Sequence, residues 1–138
     1  MIVDTSALAA IAMAEPHWEA LVAALADFKC VVPASVLTEL QLAMPKRGPL
    51  VAAAASALVE QLLEGGGRIA PFEHRHTIIT AAARDRFGKG NGKGGKLNFG
   101  DLLVYAIAKD CGEPLLCTGR DFASTDLELH SASRLDPE

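Results

Sequence analysis

Short apolar runs alternate with longer stretches of helical spacing along almost the whole chain, and this alternation restricts the fold more than any other feature. Ile2-Val3, Cys30-Val31-Val32, Arg68 to Phe72 and Leu115-Leu116-Cys117 read as strands. Between them apolar residues recur three and four positions apart, which places them on one face of an α-helix. The spacing predicts helices over Ala7 to Ala14, from Pro16 through the stripe Trp18, Leu21, Val22, Leu25 and Phe28, and from Pro33 to Met44. Three more are expected over Pro49 to Glu64, His74 to Phe87 and Phe99 to Cys111, with Leu127 beginning a last short edge strand. Strands separated by helices pair in parallel, and nearly all-apolar strands are those covered on both faces. The expected fold is α/β: a three-layer α/β/α arrangement around a mainly parallel sheet, one domain over residues 1–138.

A chain of 138 residues is long enough to bury roughly two-thirds of its unfolded surface without disulfides. Cys30, Cys111 and Cys117 are odd in number and widely spaced, as expected of free thiols in a reducing compartment, hence a cytoplasmic location. No apolar run reaches the roughly 20 residues of a membrane helix. Met1-Ile-Val-Asp-Thr-Ser has no basic segment before its apolar residues, so it does not read as a signal peptide. The net charge of −4 argues against a surface that is basic throughout, while leaving room for a local basic strip.

In a parallel sheet the functional crevice lies beyond the carboxyl ends of the strands. Asp4 immediately follows the first strand, and Asp121 follows the Leu115–Cys117 strand across a Gly turn. Asp101 opens a helix after Asn98-Phe99-Gly100, and Glu39 sits on or beside the apolar stripe of its helix. Taken singly, each has an ordinary explanation in a helix cap, a turn or a solvated helix face. Taken together, four separate segments each deliver one carboxylate to the same sheet edge. Carboxylates crowded in a partly buried site raise one another's pKa, and a hard divalent cation relieves the repulsion. Mg²⁺ and Mn²⁺ prefer oxygen ligands and bridge to phosphate. Asp4, Glu39, Asp101 and Asp121 are therefore the expected metal ligands and catalytic residues of a phosphodiester hydrolase. Thr5, Ser6 and Thr118 are candidates for holding the carboxylates or a metal-bound water, or for simple capping. Asp126 is expected to support the site or to shape its turn.

Arg84, Arg86, Lys89, Lys93 and Lys96 are opposed only by Asp85. We read Gly88 to Lys96 as a mobile loop in which Lys89, Lys93 and Lys96, with Arg86, grip nucleic-acid phosphates; a solvated linker is the plain alternative. Gly90-Asn-Gly-Lys-Gly-Gly-Lys96 also fits the GxxxxGK spacing of a nucleotide-hydrolase phosphate loop, but Leu97 replaces the Ser/Thr and a helix precedes it instead of a strand. His74 and His76 are expected at the surface, and neither they nor the cysteines have zinc-ligand spacing. Trp18 and Phe28 fit a core stripe, and His17 and His130 stand alone.

These segments resemble the PIN-domain ribonucleases, specifically the VapC-like toxins of type II toxin–antitoxin systems. Met1-Ile-Val-Asp-Thr-Ser-Ala-Leu8 resembles the family's first strand and first acid, and Ser35-Val-Leu-Thr-Glu39 the helix with its Glu. Arg86-Phe-Gly-Lys-Gly90 and Leu97-Asn-Phe-Gly-Asp101-Leu-Leu-Val-Tyr-Ala-Ile-Ala108 are the most specific stretches. Pro114-Leu-Leu-Cys-Thr-Gly-Arg-Asp-Phe122 and Thr125-Asp126 complete the pattern. The resemblance implies a PIN fold, Mg²⁺ or Mn²⁺ at the four acids and endonucleolytic cleavage of RNA. It also implies a homodimer and a VapB-like antitoxin whose C-terminal segment covers the acidic site. Arg120 stands where many relatives carry another acid, which weakens a second metal site or provides a phosphate contact, and is counted with the RNA-binding candidates. The alternative is a catalytically silent PIN-fold domain that only binds RNA or a partner.

Overall fold

A computed structural model describes residues 1–134. In chain order the elements are β1 (Ile2–Val3), α1 (Thr5–Ala12), α2 (Trp18–Asp27), β2 (Val31–Pro33), α3 (Ala34–Ala43), α4 (Pro49–Glu64), β3 (Arg68–Ala70), α5 (His74–Phe87), α6 (Phe99–Cys111) and β4 (Leu115–Leu116). Single 3₁₀ turns occupy Met44–Arg47 and Ser131–Arg134.

The four strands form one parallel sheet in the order β3-β2-β1-β4. Ile2 of β1 lies opposite Val31 on one side and Leu115 on the other. The chain steps outward from β1 to β3, then returns across the sheet to β4. α1 packs against α2, α3 and α4, α5 pairs with α6, and α3 also meets α6. The core is aliphatic: Ile2, Val3, Leu8, Val32, Val36, Val104, Leu115 and Leu116 are fully buried. Among the described residues no helix is long and apolar enough to cross a membrane.

Caps in the sequence explain the helix ends. Pro49 stands at the start of α4, where its missing N–H costs nothing, and Gly112 ends α6 in the left-handed region at φ 65°. α1 begins at Thr5, earlier than the apolar pattern indicates, because Asp4 serves as its N-cap.

Four expectations need correction. The α2 stripe buries Leu21, Ala24 and Leu25, whereas Val22 and Phe28 are exposed. Phe28 caps α2 in an extended conformation, so its ring leaves the stripe and packs edge-on against His130 at 5.4 Å. β3 is an edge strand with Arg68 and Ile69 exposed, not a covered apolar strand. The strand expected at Leu127 is a single bridge between Leu115 and Leu129, because the chain turns into the 3₁₀ helix after His130. Ser133 then seals the edge of β4, donating to the Leu115 carbonyl (3.2 Å) and accepting from the Cys117 N–H (3.0 Å). His76, expected at the surface, is buried. Its Nδ1 accepts from the Glu73 N–H (2.8 Å), so its Nε2 carries the proton shared with Asp110 (2.9 Å) and joins α5 to α6.

Candidate active site

The strand order reverses between β1 and β4, so the crevice of this sheet opens at their carboxyl ends. Asp4 leaves β1 there in extended conformation as the α1 N-cap. Its Oδ2 accepts from the Ser6 N–H at 3.1 Å and from the Ser6 hydroxyl at 2.5 Å. The same hydroxyl accepts from the Thr118 N–H at 3.0 Å, so Ser6 ties the acid after β1 to the turn after β4. Asp4 is buried, and burial raises its pKa against the lowering effect of the Ser6 hydrogen bonds, with Asp121 adding repulsion.

Asp101 lies in the first turn of α6 and forms a capping box with Asn98: Asn98 Oδ1 accepts from the Asp101 N–H (2.9 Å), and Asp101 Oδ2 accepts from the Asn98 N–H (3.0 Å). Burial, followed by the charges of Asp4, Asp121 and Glu39, pushes the Asp101 carboxyl up to about 6 despite its hydrogen bond from Asn98. Glu39 points from α3 towards the start of α6. A Cβ at Gly100 would stand 2.7 Å from its Oε1, so only glycine leaves this approach open. The Glu39 pKa is raised by burial first and by Asp4 second, and Thr5 opposes the rise. Thr5 Oγ1 nevertheless makes no hydrogen bond of ordinary geometry, although it is buried. Asp121 is exposed on the turn after β4 and acts electrostatically on Asp4 and Asp101. The charges of Asp4, Asp101 and Asp121 add to burial in pushing the nearby Cys117 thiol to about 12.

Of the four acids expected at this edge, Asp101 feels the other three, and Asp4 acts on Glu39 and is acted on by Asp121. Among the described residues, no three His, Cys, Asp or Glu side chains are gathered tightly enough to hold a metal ion as they stand. The donor set itself fits a hard cation. It is oxygen throughout, its carboxyl pKa values are raised by burial and mutual repulsion, and a buried hydroxyl at Thr5 lacks a partner.

The other candidates divide. Ser6 and Thr118 are part of the frame that holds Asp4. Asp126 is elsewhere: it accepts from the Tyr105 hydroxyl (2.6 Å), Lys109 (2.8 Å) and Arg86 (3.3 Å), which lower its pKa to about 2. Arg86 is committed to that network and lies over the Phe87 ring, 4.6 Å from its centroid. Arg120 is exposed beside Asp121 and has an interaction of its own.

The Gly88–Lys96 loop is not the free strap its composition suggests. Gly88 and Leu97 form a parallel bridge, the Lys89 N–H donates to the Leu97 carbonyl (2.7 Å), and the Leu97 N–H donates to the Phe87 carbonyl (3.0 Å). Inside the loop, Asn91 Oδ1 accepts from the Lys93 and Gly95 N–H groups at 2.8 and 3.1 Å, while its Nδ2 donates to the Asp85 carbonyl at 3.2 Å. Two of the amides that a nucleotide phosphate loop would offer, those of Lys93 and Gly95, are therefore filled by the chain's own Asn91, and a helix, α5, precedes them. The nucleotide-hydrolase reading falls on both counts. Lys89 and Lys96, with Gly95, Asn98 and Asp121, line a cavity of about 270 Å³. The pattern of apolar and acidic residues gave no hint of Asn91, Asn98 or Gly100. The signal available was the Asn98-to-Asp101 spacing of a capping box.

The PIN domain family model matches residues 1–128. Ribonuclease VapC36 of Mycobacterium tuberculosis is 39% identical over 133 residues, covering 94% of this chain and 92% of the relative. Ribonuclease VapC28 of the same species is 38% identical over 130 residues, covering 93% and 96%. Ribonuclease VapC of Mycolicibacterium smegmatis is 34% identical over 139 residues, covering 92% and 97%. In three dimensions the chain matches VapBC2 from Rickettsia felis, crystallised with a DNA fragment from its promoter, with a TM-score of 0.69 over 99% of this chain and 98% of that one. At 18% sequence identity this match reports the fold.

Proposed function

Since the chain belongs to the PIN-domain family, we propose that it is a metal-dependent endoribonuclease, the toxin of a type II toxin–antitoxin pair. The observation that carries this reading is Asp101, whose carboxyl is pushed to about 6 by burial and by three other acids drawn from separate segments. Such a cluster is unfavourable for the fold unless something positive occupies it.

Asp4, Glu39, Asp101 and Asp121 would hold the ion, and their oxygen-only chemistry selects Mg²⁺ or Mn²⁺. When bound, the cation supplies Lewis-acid polarisation of the scissile phosphodiester and activation of water. The chain supplies the positioning. One oxygen of Asp4 is committed to Ser6 and one oxygen of Asp101 to the Asn98 N–H, which fixes the direction of each remaining oxygen. Glu39 reaches the same space because residue 100 has no side chain. Lys89 and Lys96, which line a cavity with Asp121, and the exposed Lys93 and Arg120 are the proposed phosphate contacts. Arg86 is left out of that set because Asp126 engages it.

A VapB-like antitoxin is the proposed partner and inhibitor, and the toxin pairs with itself as a homodimer. Leu42, Leu50 and Ile78 are exposed by 67, 85 and 70%, apolar surface of the kind such contacts cover. The proposed location is the cytoplasm. Sequencing of RNA 5′ ends after controlled expression tests the reading. Discrete new ends with the wild type and none with Asp4→Ala support it. Identical end profiles would favour a catalytically silent binding domain.

A further inference from the structure

We propose that the Phe99 ring is a stacking platform for the unpaired RNA base next to the scissile phosphodiester. Resting on the ribonuclease reading, this makes single-stranded or loop RNA the substrate class of the acidic crevice.

Phe99 is the first residue of α6, and at 79% it is the most exposed aromatic side chain among the described residues. Phe28, exposed by 47%, packs against His130, while Phe72 and Phe87 lie half-buried against His76 and Tyr105. Phe122 is in the core. Phe99 makes no ring contact of this kind, and α6 buries Val104 to Ala108 instead. The fold therefore makes little use of this ring. Leu42, Leu50 and Ile78 are about as exposed, but none of them has a π face.

The neighbours of Phe99 indicate what covers it. Asn98, just before it, caps α6 and lines the cavity shared with Lys89, Lys96 and Asp121. Gly100, just after it, leaves room for Glu39, and Asp101 follows. Residues two apart on a helix do not face each other, so the ring flanks the Asp101 carboxylate and does not point at it. An apolar protein side chain seated on the ring would strip water from these charged neighbours, which is costly. A nucleobase brings a π face for the ring and a polar edge that keeps its own hydrogen bonds with water. Only an unpaired base can be splayed out to do this, because a base within a duplex is already stacked on both sides. Such stacking accepts any base, since each has a π face.

The experiment is equilibrium binding of a fluorescently labelled single-stranded oligoribonucleotide, with Ca²⁺ as the divalent ion and product formation checked on the same samples. The cut in this oligonucleotide is first mapped with the wild type in Mg²⁺. A matched series carries one abasic ribonucleotide at each position in turn. Substitution of so exposed a residue should leave the fold intact. Phe99→Ala is expected to weaken binding by roughly five- to a hundredfold, Phe99→Leu to recover little and Phe99→Trp to recover all of it. Mn²⁺ affinity, read by calorimetric titration, should not change in any of the three. An abasic site next to the cut should weaken wild-type binding by a similar factor and cost Phe99→Ala nothing further. Wild-type RNA affinity in Phe99→Ala, full recovery by Phe99→Leu, or a loss of Mn²⁺ affinity overturns the platform. So do penalties that simply add at every abasic position, or a Phe99→Ala protein that binds RNA normally but no longer self-associates or binds the antitoxin. If Asp101→Asn abolishes cleavage while the penalties add, the platform alone fails and the ribonuclease reading stands. A wild type that neither binds nor cuts RNA overturns both.

Discussion

The Glu39 carboxylate occupies the space into which a side chain at Gly100 would project, with its Oε1 2.7 Å from the ideal Cβ position. Gly100 lies within α6, where glycine costs roughly 0.5–1 kcal/mol relative to alanine. Gly100→Ala is expected to leave stability equal or raised, because the far end of the Glu39 side chain can swing aside. RNA cleavage should nonetheless fall at least tenfold. Thermal melts and cleavage rates on one preparation check the pair, and an active, stabilised variant would remove Glu39 from the site.

Ser6 Oγ bridges Asp4 and the Thr118 N–H. Ser6→Ala leaves that half-buried N–H without its acceptor, which costs on the order of 1–2 kcal/mol, and frees Asp4 to rotate. The affinity for Mn²⁺, read by calorimetric titration, should drop by about ten- to a hundredfold, and Ser6→Thr should restore most of it. Wild-type Mn²⁺ affinity in Ser6→Ala would mean that the bridge serves only the fold.

The raised pKa of Asp101 sets a pH dependence whose sign can be stated. The folded, metal-free protein binds this proton more tightly than the unfolded chain. Asp101 therefore lowers stability as pH rises from its unfolded value near 3.9 through about 6. Because the group is only partly buried, the effect is on the order of 1 kcal/mol after allowance for solvent screening. The wild type should lose more stability between pH 5 and pH 7 than Asp101→Asn, a comparison in which the histidines cancel, and saturating Mg²⁺ should shrink the difference. Equal pH slopes for the two proteins would contradict the assignment.

Asp126 has the opposite sign. Lys109 and Tyr105 hold its pKa near 2, so its contribution is present above about pH 4 and is lost as pH falls towards 2. Asp126→Asn should destabilise the protein by on the order of 1–2 kcal/mol at neutral pH, reduced by the carboxylate's partial exposure, and flatten acid denaturation. Its metal affinity should match the wild type, since its partners are Tyr105, Lys109 and Arg86. A large loss of metal affinity would return Asp126 to the acidic site.

Much of this was legible in the chain because its punctuation is strong. Pro49, Gly65, Asn98 and Gly112 bound their helices within a residue of the expected ends, and the position of each acid follows from the strand or helix beside it. The unreadable parts depend on contacts without a period. His76 is drawn inside by its capping box with Glu73 and its bond to Asp110, although nothing in the helical stripe favours its burial. Phe28 escapes the stripe because the helix ends one residue before it. The loop is pinned by the backbone bridge of Gly88 to Leu97 and by the Asn91 side chain, whereas its glycine-rich composition predicts freedom. The sequence puts Glu39 beside an apolar stripe, yet its approach to Gly100 depends on α3 meeting α6.

The most direct measurement is cleavage of a structured RNA by the purified, antitoxin-free protein with Mg²⁺, with EDTA, and with Asp101→Asn in Mg²⁺. The account predicts internal cleavage with Mg²⁺, none with EDTA, and a loss of at least about a hundredfold for the variant. Cleavage that survives EDTA, or an Asp101→Asn protein as active as the wild type, would contradict it.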